Sequence, residues 1–339
     1  MIDIYSTRTM LKAINLVKPV YTFFRDTFFS SVETSPTEKI DVDFKKGKRK
    51  MAPFVAPRIG GIVMDRQGFT TNTYKVPKIA PERIITADDL KNRSMGESIY
   101  SAKTPAERAQ EFLAQDLLDL DDMITRREEW MCREVMLNGK VVMSGEGFEQ
   151  QVDFGFTNKE TLAGAALWSA DTSDPIEDLK RWRLAIIQKT GQSPNIVVMA
   201  SNVVSRFIKH PVVQKLLDVA RLNIGAIEPT VQSPALTFVG KLPSLGLEVY
   251  SYDEWFLNDA GTETAMVPDN TVIIGTKGVN KRIYGALTQA ENGEFVTIEG
   301  QRIPKSWFNE DDEVRKVRLA SRPLPVPDDV DGWYVAIVM

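Results

Sequence analysis

The chain has 339 residues, 43% of them hydrophobic and 26% charged, which is the composition of a globular protein with core enough for two domains or so. One Cys and one His exclude an internal disulfide and a Cys/His zinc site, and a net charge of −4 argues against a duplex-DNA surface spread over the whole sequence. No run of about 18 apolar residues is present, so no membrane-spanning helix is expected. The apolar N-terminus is interrupted by Arg8, Lys12, Lys18, Arg25 and Asp26, which leaves no signal-peptide core and points to a cytosolic protein.

In chain order, residues 9–17 pattern as a short amphipathic helix. Tyr21, Phe23, Phe24, Phe28 and Phe29 then crowd aromatics into a terminal segment. That density fits an interaction surface or a first core element of the same chain, and the residues leave both open. Residues 36–81 read as extended chain. Ile40, Val42 and Phe44 alternate as in a strand, the basic cluster Lys45, Lys46, Lys48, Arg49 and Lys50 follows, and residues 59–74 pattern as a hairpin turning near 65–68. A two-stranded ribbon is marginal alone in water, so this one is expected to lie on its own domain or on a neighbouring subunit.

Residues 104–139 carry the strongest signal. Thr104, Pro105 and Glu107 form a capping box with Pro at the first helical position, and Asn138-Gly139 supplies a left-handed stop. Ala109, Leu113, Leu117, Leu120, Ile124, Met131 and Val135 recur at helical spacing, with Asp116, Asp119, Asp122, Arg126 and Glu129 elsewhere around the helix. The spacing predicts one helix of roughly 50 Å laid on a sheet. A coiled coil is the alternative, and the heptad pattern breaks at Arg127-Glu128.

Beyond Gly139, residues 141–143 and 148–154 pattern as a hairpin, and 157–170 as a loose connector. Composition shifts near Asp174-Pro175, where a domain boundary is expected. An alternating α/β block follows: a helix over 176–190, a buried strand over 195–199, helices over 201–209 and 212–223, strands over 247–252 and 271–275, and a polar excursion over 255–268. Strands are expected over 282–289, 295–300 and 314–323, an acidic loop at Glu310, Asp311, Asp312 and Glu313, and a buried or paired strand over 333–339. No repeat or low-complexity tract is present.

Nothing here marks an enzyme. There is no phosphate-binding glycine loop, dinucleotide fingerprint or nucleophile elbow. His210 beside Pro211 reads as structural, and Cys132 as a small residue at the helix–sheet contact. Asp116, Asp119 and Asp122 read as one helix face able to hold a cation, or more plainly as a solvated face. Asp328-Asp329-Val330-Asp331-Gly332 is too short for a calcium loop and reads as a turn. No catalytic, cofactor-binding or metal residue is assigned, and no cofactor is expected.

Taken together, the chain resembles the major capsid proteins of lambda-like tailed phages, the capsid protein E family. The resemblance covers essentially the whole sequence. It rests on Phe23-Phe24-Arg25-Asp26-Thr27-Phe28-Phe29, on Ala52-Pro53-Phe54-Val55-Ala56-Pro57, and on Val267-Pro268-Asp269-Asn270-Thr271-Val272-Ile273-Ile274-Gly275 followed by Tyr284-Gly285. Pro304-Lys305-Ser306-Trp307 and Arg322-Pro323-Leu324 close it.

The resemblance implies an α+β Hong Kong 97-type fold. Its parts would be an N-arm over 1–35 lying on a neighbour, an extended E-loop hairpin over 36–81, and a P-domain over 82–173 and 276–324 with its spine helix at 105–138. An α/β A-domain would comprise 174–275 and 325–339. The implied function is a major capsid protein whose pentamers and hexamers build an icosahedral shell around packaged double-stranded DNA, contacted non-specifically. The virion would be assembled in the bacterial cytoplasm, with a portal protein and a separate scaffolding protein, because only about 35 residues precede the ribbon; a decoration protein is a further partner. A bacterial encapsulin-like nanocompartment shell is the alternative. Some relatives cross-link an E-loop lysine, but nothing in the sequence marks Lys75 or Lys78 as reactive. The 45–50 cluster is placed to meet the acidic run of a neighbour, to face DNA, or to stand solvated.

Overall fold

The computed structural model describes residues 6–14, 21–44, 70–91, 104–145, 148–218, 226–233, 235–291 and 293–339. Its longest element is the helix Pro105–Asn138, 34 residues without a break. The Thr104 side chain accepts the Glu107 N–H, and the Glu107 carboxylate accepts the Thr104 N–H at 2.7 Å, so the expected capping box closes. Gly139 ends the helix at φ 66°, donating its N–H to the Val135 carbonyl at 2.8 Å. A Cβ there would lie 2.0 Å from the Phe156 Cβ, so both backbone and space demand glycine.

All seven residues of the predicted stripe are buried. They serve two cores. Leu113, Leu117, Leu120 and Ile124 pack with Met10, Ile85, Val317 and Leu319. Met131 and Val135 belong to the larger core, which is built on a seven-stranded sheet. The strand order is Lys159–Thr161, Tyr334–Ile337, Thr271–Gly275, Ile196–Met199, Leu247–Tyr252, Leu236–Leu242 and Ala226–Ser233. Ile196–Met199 is central and wholly buried, antiparallel to Thr271–Gly275 and parallel to Leu247–Tyr252. The terminal strand Tyr334–Ile337 is paired on both sides, as its apolar sequence requires. Helix Pro175–Thr190 lies against this sheet, and Asp174 caps it by accepting the Ile176 and Glu177 N–H groups at 3.0 and 3.1 Å.

Two three-stranded sheets flank the long helix. Ser31–Ser35 runs parallel to Lys281–Gly285, which is antiparallel to Pro323–Val326. Glu82–Ile85 pairs with Val314–Ala320, and that strand pairs with Ile303–Asn309. The expected single strand over 314–323 therefore divides between two sheets. Proline-rich Pro323–Val326 occupies an outer position, where missing N–H donors are tolerated.

Several expectations are corrected. Ala226–Ser233 and Leu236–Leu242 are strands that the sequence pattern hides; Pro229 breaks the apolar alternation yet is tolerated because its strand forms the sheet's edge. The connector over 157–170 contributes the strand Lys159–Thr161, and the excursion over 255–268 holds a small hairpin, Trp255–Leu257 with Glu263–Ala265. The first helix is Thr7–Ile14, and the helix expected over 212–223 is Pro211–Asp218, with 219–225 outside the described residues. Thr70–Lys75 pairs with Lys39–Phe44; the basic cluster and the turn expected near 65–68 lie outside the described residues.

Helix position, not length alone, makes the stripe a core element. Leu117 and Leu120 are 3% and 0% exposed. Replacing either with Ala is expected to destabilise the isolated subunit by about 2–5 kcal/mol in urea unfolding. Unchanged midpoints for both variants would show that this face is not packed.

Candidate functional site

The polar residues that matter most lie inside the molecule. Glu129, on the long helix, is 1% exposed. Its Oε1 accepts the N–H groups of Phe23 and Phe24 at 2.9 and 2.8 Å, and its Oε2 accepts that of Arg25 at 2.8 Å. These are the free donors that begin the short helix Phe24–Thr27. Burial pushes the Glu129 carboxyl above its ordinary value, and the three backbone donors oppose that shift.

One residue earlier, Glu128 is held by Arg302, which also reaches Thr125 at 3.0 Å through Nη2 and Asp121 at 2.5 Å through Nε. Arg25 approaches Glu128 from the other side at 3.5 Å. Burial works against the Arg302 charge, but Glu128 and Asp121 raise its pKa overall. The buried Arg282 stands close enough to act on Tyr284 together with Glu128, Arg302 and Arg25. Asp121 and Glu128 thus pair with Arg302, and Glu128 also with Arg25, and the node joins the aromatic segment, the long helix and the C-terminal strands.

With Glu129 holding its backbone, the aromatic segment is core. Phe23, Phe24, Phe28 and Phe29 are 2%, 0%, 0% and 0% exposed. Phe23 packs on Tyr252 at 5.1 Å between ring centroids, and Phe24 on the same ring edge-to-face at 5.7 Å. Of the two readings left open by the sequence, the first core element is correct. The implied picture of these aromatics resting on a neighbour is not, because their own chain already encloses them.

The outer surface is different in kind. Large apolar side chains are exposed on hairpins and edge strands: Phe295 at 84%, Leu257 at 68%, Trp255 at 59%, Ile84 at 55% and Phe308 at 52%. Two adjacent grooves, about 470 and 740 Å³, share Arg127, Trp130 and Asp259. Exposed apolar side chains grouped in this way are what a partner surface would cover.

The chain matches, over residues 6–338, the family described as phage major capsid protein E. The chain belongs to this family. It is 28% identical over 347 residues to the major capsid protein of Enterobacteria phage phi80, and 26% identical over 341 residues to that of Escherichia phage lambda, with 98% of both chains covered in each case. A crystal structure of a prophage capsid protein from E. coli CFT073 superposes with a TM-score of 0.72 at 19% identity, covering 98% of this chain and 99% of that one. The capsid of Cyanophage P-SCSP1u superposes at 0.50 and 8% identity, covering 95% and 89%. The fold is the Hong Kong 97-type capsid fold.

In this capsid protein the residues singled out from the sequence are dispersed. Asp116, Asp119 and Asp122 follow one another in steps of about 60° around the helix, and burial together with the Asp119 charge pushes the carboxyls of Asp116 and Asp122 above their ordinary value. Asp119 accepts from Gln115 at 2.9 Å and pairs with Arg83 at 3.5 Å. No group of three or more metal-ligating side chains occurs among the described residues. His210 is buried; its Nδ1 accepts the Val212 N–H at 3.3 Å, which leaves the proton on Nε2, beside Ser173 and the Ala170 carbonyl at 3.2 Å each. Cys132 is buried at the helix–core contact, and burial pushes its thiol well up. The 328–332 segment is a turn that binds residues 157 and 158: Thr157 Oγ1 donates to Asp331 at 2.8 Å and Asn158 to the Asp331 carbonyl at 2.9 Å. Lys78, unmarked in sequence, has its pKa lowered by burial and by Arg318. The sequence pattern does not show that Glu128 and Glu129 are buried; Glu129 reads there as one of the charges around the helix.

Two consequences can be measured for Glu129→Gln. The amide keeps one acceptor but turns an NH₂ toward donors, so a loss of about 1–3 kcal/mol is expected in urea unfolding at pH 7. The raised carboxyl also means that, above its ordinary 4.5, the native state binds more protons than the unfolded chain. Glu129 stabilisation is therefore fully present below that pH and falls as pH rises through the folded value; the variant should lack this slope. Identical midpoints and identical slopes would contradict the geometry.

Proposed function

We infer that this protein is the major capsid protein of a tailed phage, the repeated subunit of an icosahedral shell. The observation that carries this reading is the family match over residues 6–338, joined to a capsid fold spanning 98% of the chain. An encapsulin-like compartment uses a related fold, but the relatives named above are phage and prophage head proteins. Capsid subunits are structural, and no catalytic step is proposed.

The finer reading follows from the resemblance. The subunits are proposed to form pentamers and hexamers, assembled in the host cytoplasm on a separate scaffolding protein and completed by a portal protein. The shell then encloses double-stranded DNA, contacted through charge and not sequence, and its outer face has room for a decoration protein. The proposed division is an N-arm over 1–35, anchored in its own subunit by Phe23, Phe24, Phe28 and Phe29, an E-loop over 36–81, a P-domain over 82–173 and 276–324, and an A-domain over 174–275 and 325–339. Support comes from the exposed hairpins, on which Phe295, Leu257 and Trp255 stand more than half exposed.

Purified protein mixed with its scaffold should give closed particles of uniform size by electron microscopy and light scattering. A folded monomer under every scaffold-supplemented condition would sink the reading.

A further inference from the structure

The hairpin Ile303–Asn309 with Val314–Ala320 is electrically lopsided. Its tip is Glu310, Asp311, Asp312 and Glu313, all exposed, with exposed Phe308 beside them. Glu313 holds φ 51°, a left-handed conformation that Gly or Asn would adopt with less strain. The turn thus carries a charged residue where a small one would sit with less strain. Among the described residues none of the four acids has an ion-pair partner; the contact found is from Asn309 to Asp312 at 2.5 Å.

The 740 Å³ groove has the opposite character. Pro77, Trp130, Val142 and Met143 wall it, and Lys75 and Lys78 stand exposed along it. Arg127 is already engaged by Asp259, and Arg322 by Glu38 at 3.1 Å, whereas Lys75 and Lys78 have no ion-pair partner among the described residues. Arg322 is nine-tenths buried, and its Nε finds no hydrogen-bond partner among the described residues. Lys78 is held below its ordinary pKa first by burial and then by Arg318, with Arg322 and Lys305 acting the same way against Glu82. An incoming carboxylate would relieve this excess of positive charge.

We propose that the acidic tip of one subunit docks in the Lys75–Lys78 groove of a second copy of this chain. The tip cannot reach the groove of its own chain. Ile79, in the groove wall, bridges to Ser321 at the hairpin's base, where Ile303 faces Ala320. The tip lies seven paired residues away, roughly 23 Å along a stiff ribbon. Two complementary patches at separate places on one chain make a heterologous contact, the kind that closes rings and shells. The proposal rests on the shell reading above. Each exposed pair is weak and screened by salt, so the contact matters through repetition.

The test uses particles assembled from equal amounts of unlabelled and ¹⁵N-labelled protein, treated with a carbodiimide that joins touching amines and carboxylates. Peptides carrying 310–313 should be linked to peptides carrying Lys75 or Lys78, in mixed-isotope pairs. In parallel, Glu310→Lys with Asp311→Lys and Asp312→Lys, and separately Lys75→Glu with Lys78→Glu, should each lower particle yield, and the combined set should restore it. Particles without that link, links from the tip to the 45–50 lysines instead, or full yield from both reversed sets would overturn the proposal while leaving the shell reading intact. Absence of any particle from the unaltered protein would remove both.

Discussion

The structure turns on one buried carboxylate. Glu129 sits inside the protein with three backbone N–H groups pointed at it, from Phe23, Phe24 and Arg25. Burying a charge costs several kcal/mol, and three hydrogen bonds to a charged acceptor return about 1.5–3 kcal/mol each. The two sides are of the same order, so the arrangement contributes geometry more than stability. What it fixes is the path of the chain: the aromatic segment can lie only where those three donors find their acceptor.

That constraint propagates. Once Phe23 and Phe24 are placed, their rings fill the space beside Tyr252 on the seven-stranded sheet. Gly275, at the end of a central strand, stays small because a Cβ there would lie 3.1 Å from the Phe28 ring. Glu128 then fixes Arg302, which leads into the hairpin that carries the acidic tip. From the opposite end of the chain, the Trp333 indole donates to the Met136 carbonyl of the long helix at 2.7 Å and stacks on Phe156 at 4.6 Å. Residues 23–25 and Trp333 are therefore tied to the same helix, from opposite parts of the sequence. The subunit's exposed apolar residues are left on hairpins at the periphery, where a shell needs them.

Most of this architecture is legible in the sequence wherever a local rule acts. The capping box at Thr104, the stop at Gly139, the apolar stripe and the buried runs at 196–199 and 271–275 follow from spacing and turn chemistry. Local rules fail where tertiary position decides. Pro229 reads as a strand breaker until its strand is known to be an edge. Phe23 and Phe24 read equally as surface or core, because nothing nearby in sequence shows that a glutamate more than 100 residues away satisfies their N–H groups. Glu128 and Glu129 look like solvated charges on a helix, and their burial becomes legible only once Arg25, Arg302 and the N–H groups of residues 23–25 are in view. Assembly leaves a fainter mark still, since exposed hairpins and unpaired charges become meaningful only with a second copy.

The most direct measurement of the central claim is native-state amide exchange in the unassembled subunit. If Glu129 anchors the aromatic segment within its own chain, the amides of Phe23, Phe24 and Arg25 exchange as slowly as those of the central strand Ile196–Met199, and Glu129→Gln speeds them selectively. Exchange at the rate of an unstructured terminus, with the central strand still protected, would show that the segment is held only by a neighbouring subunit.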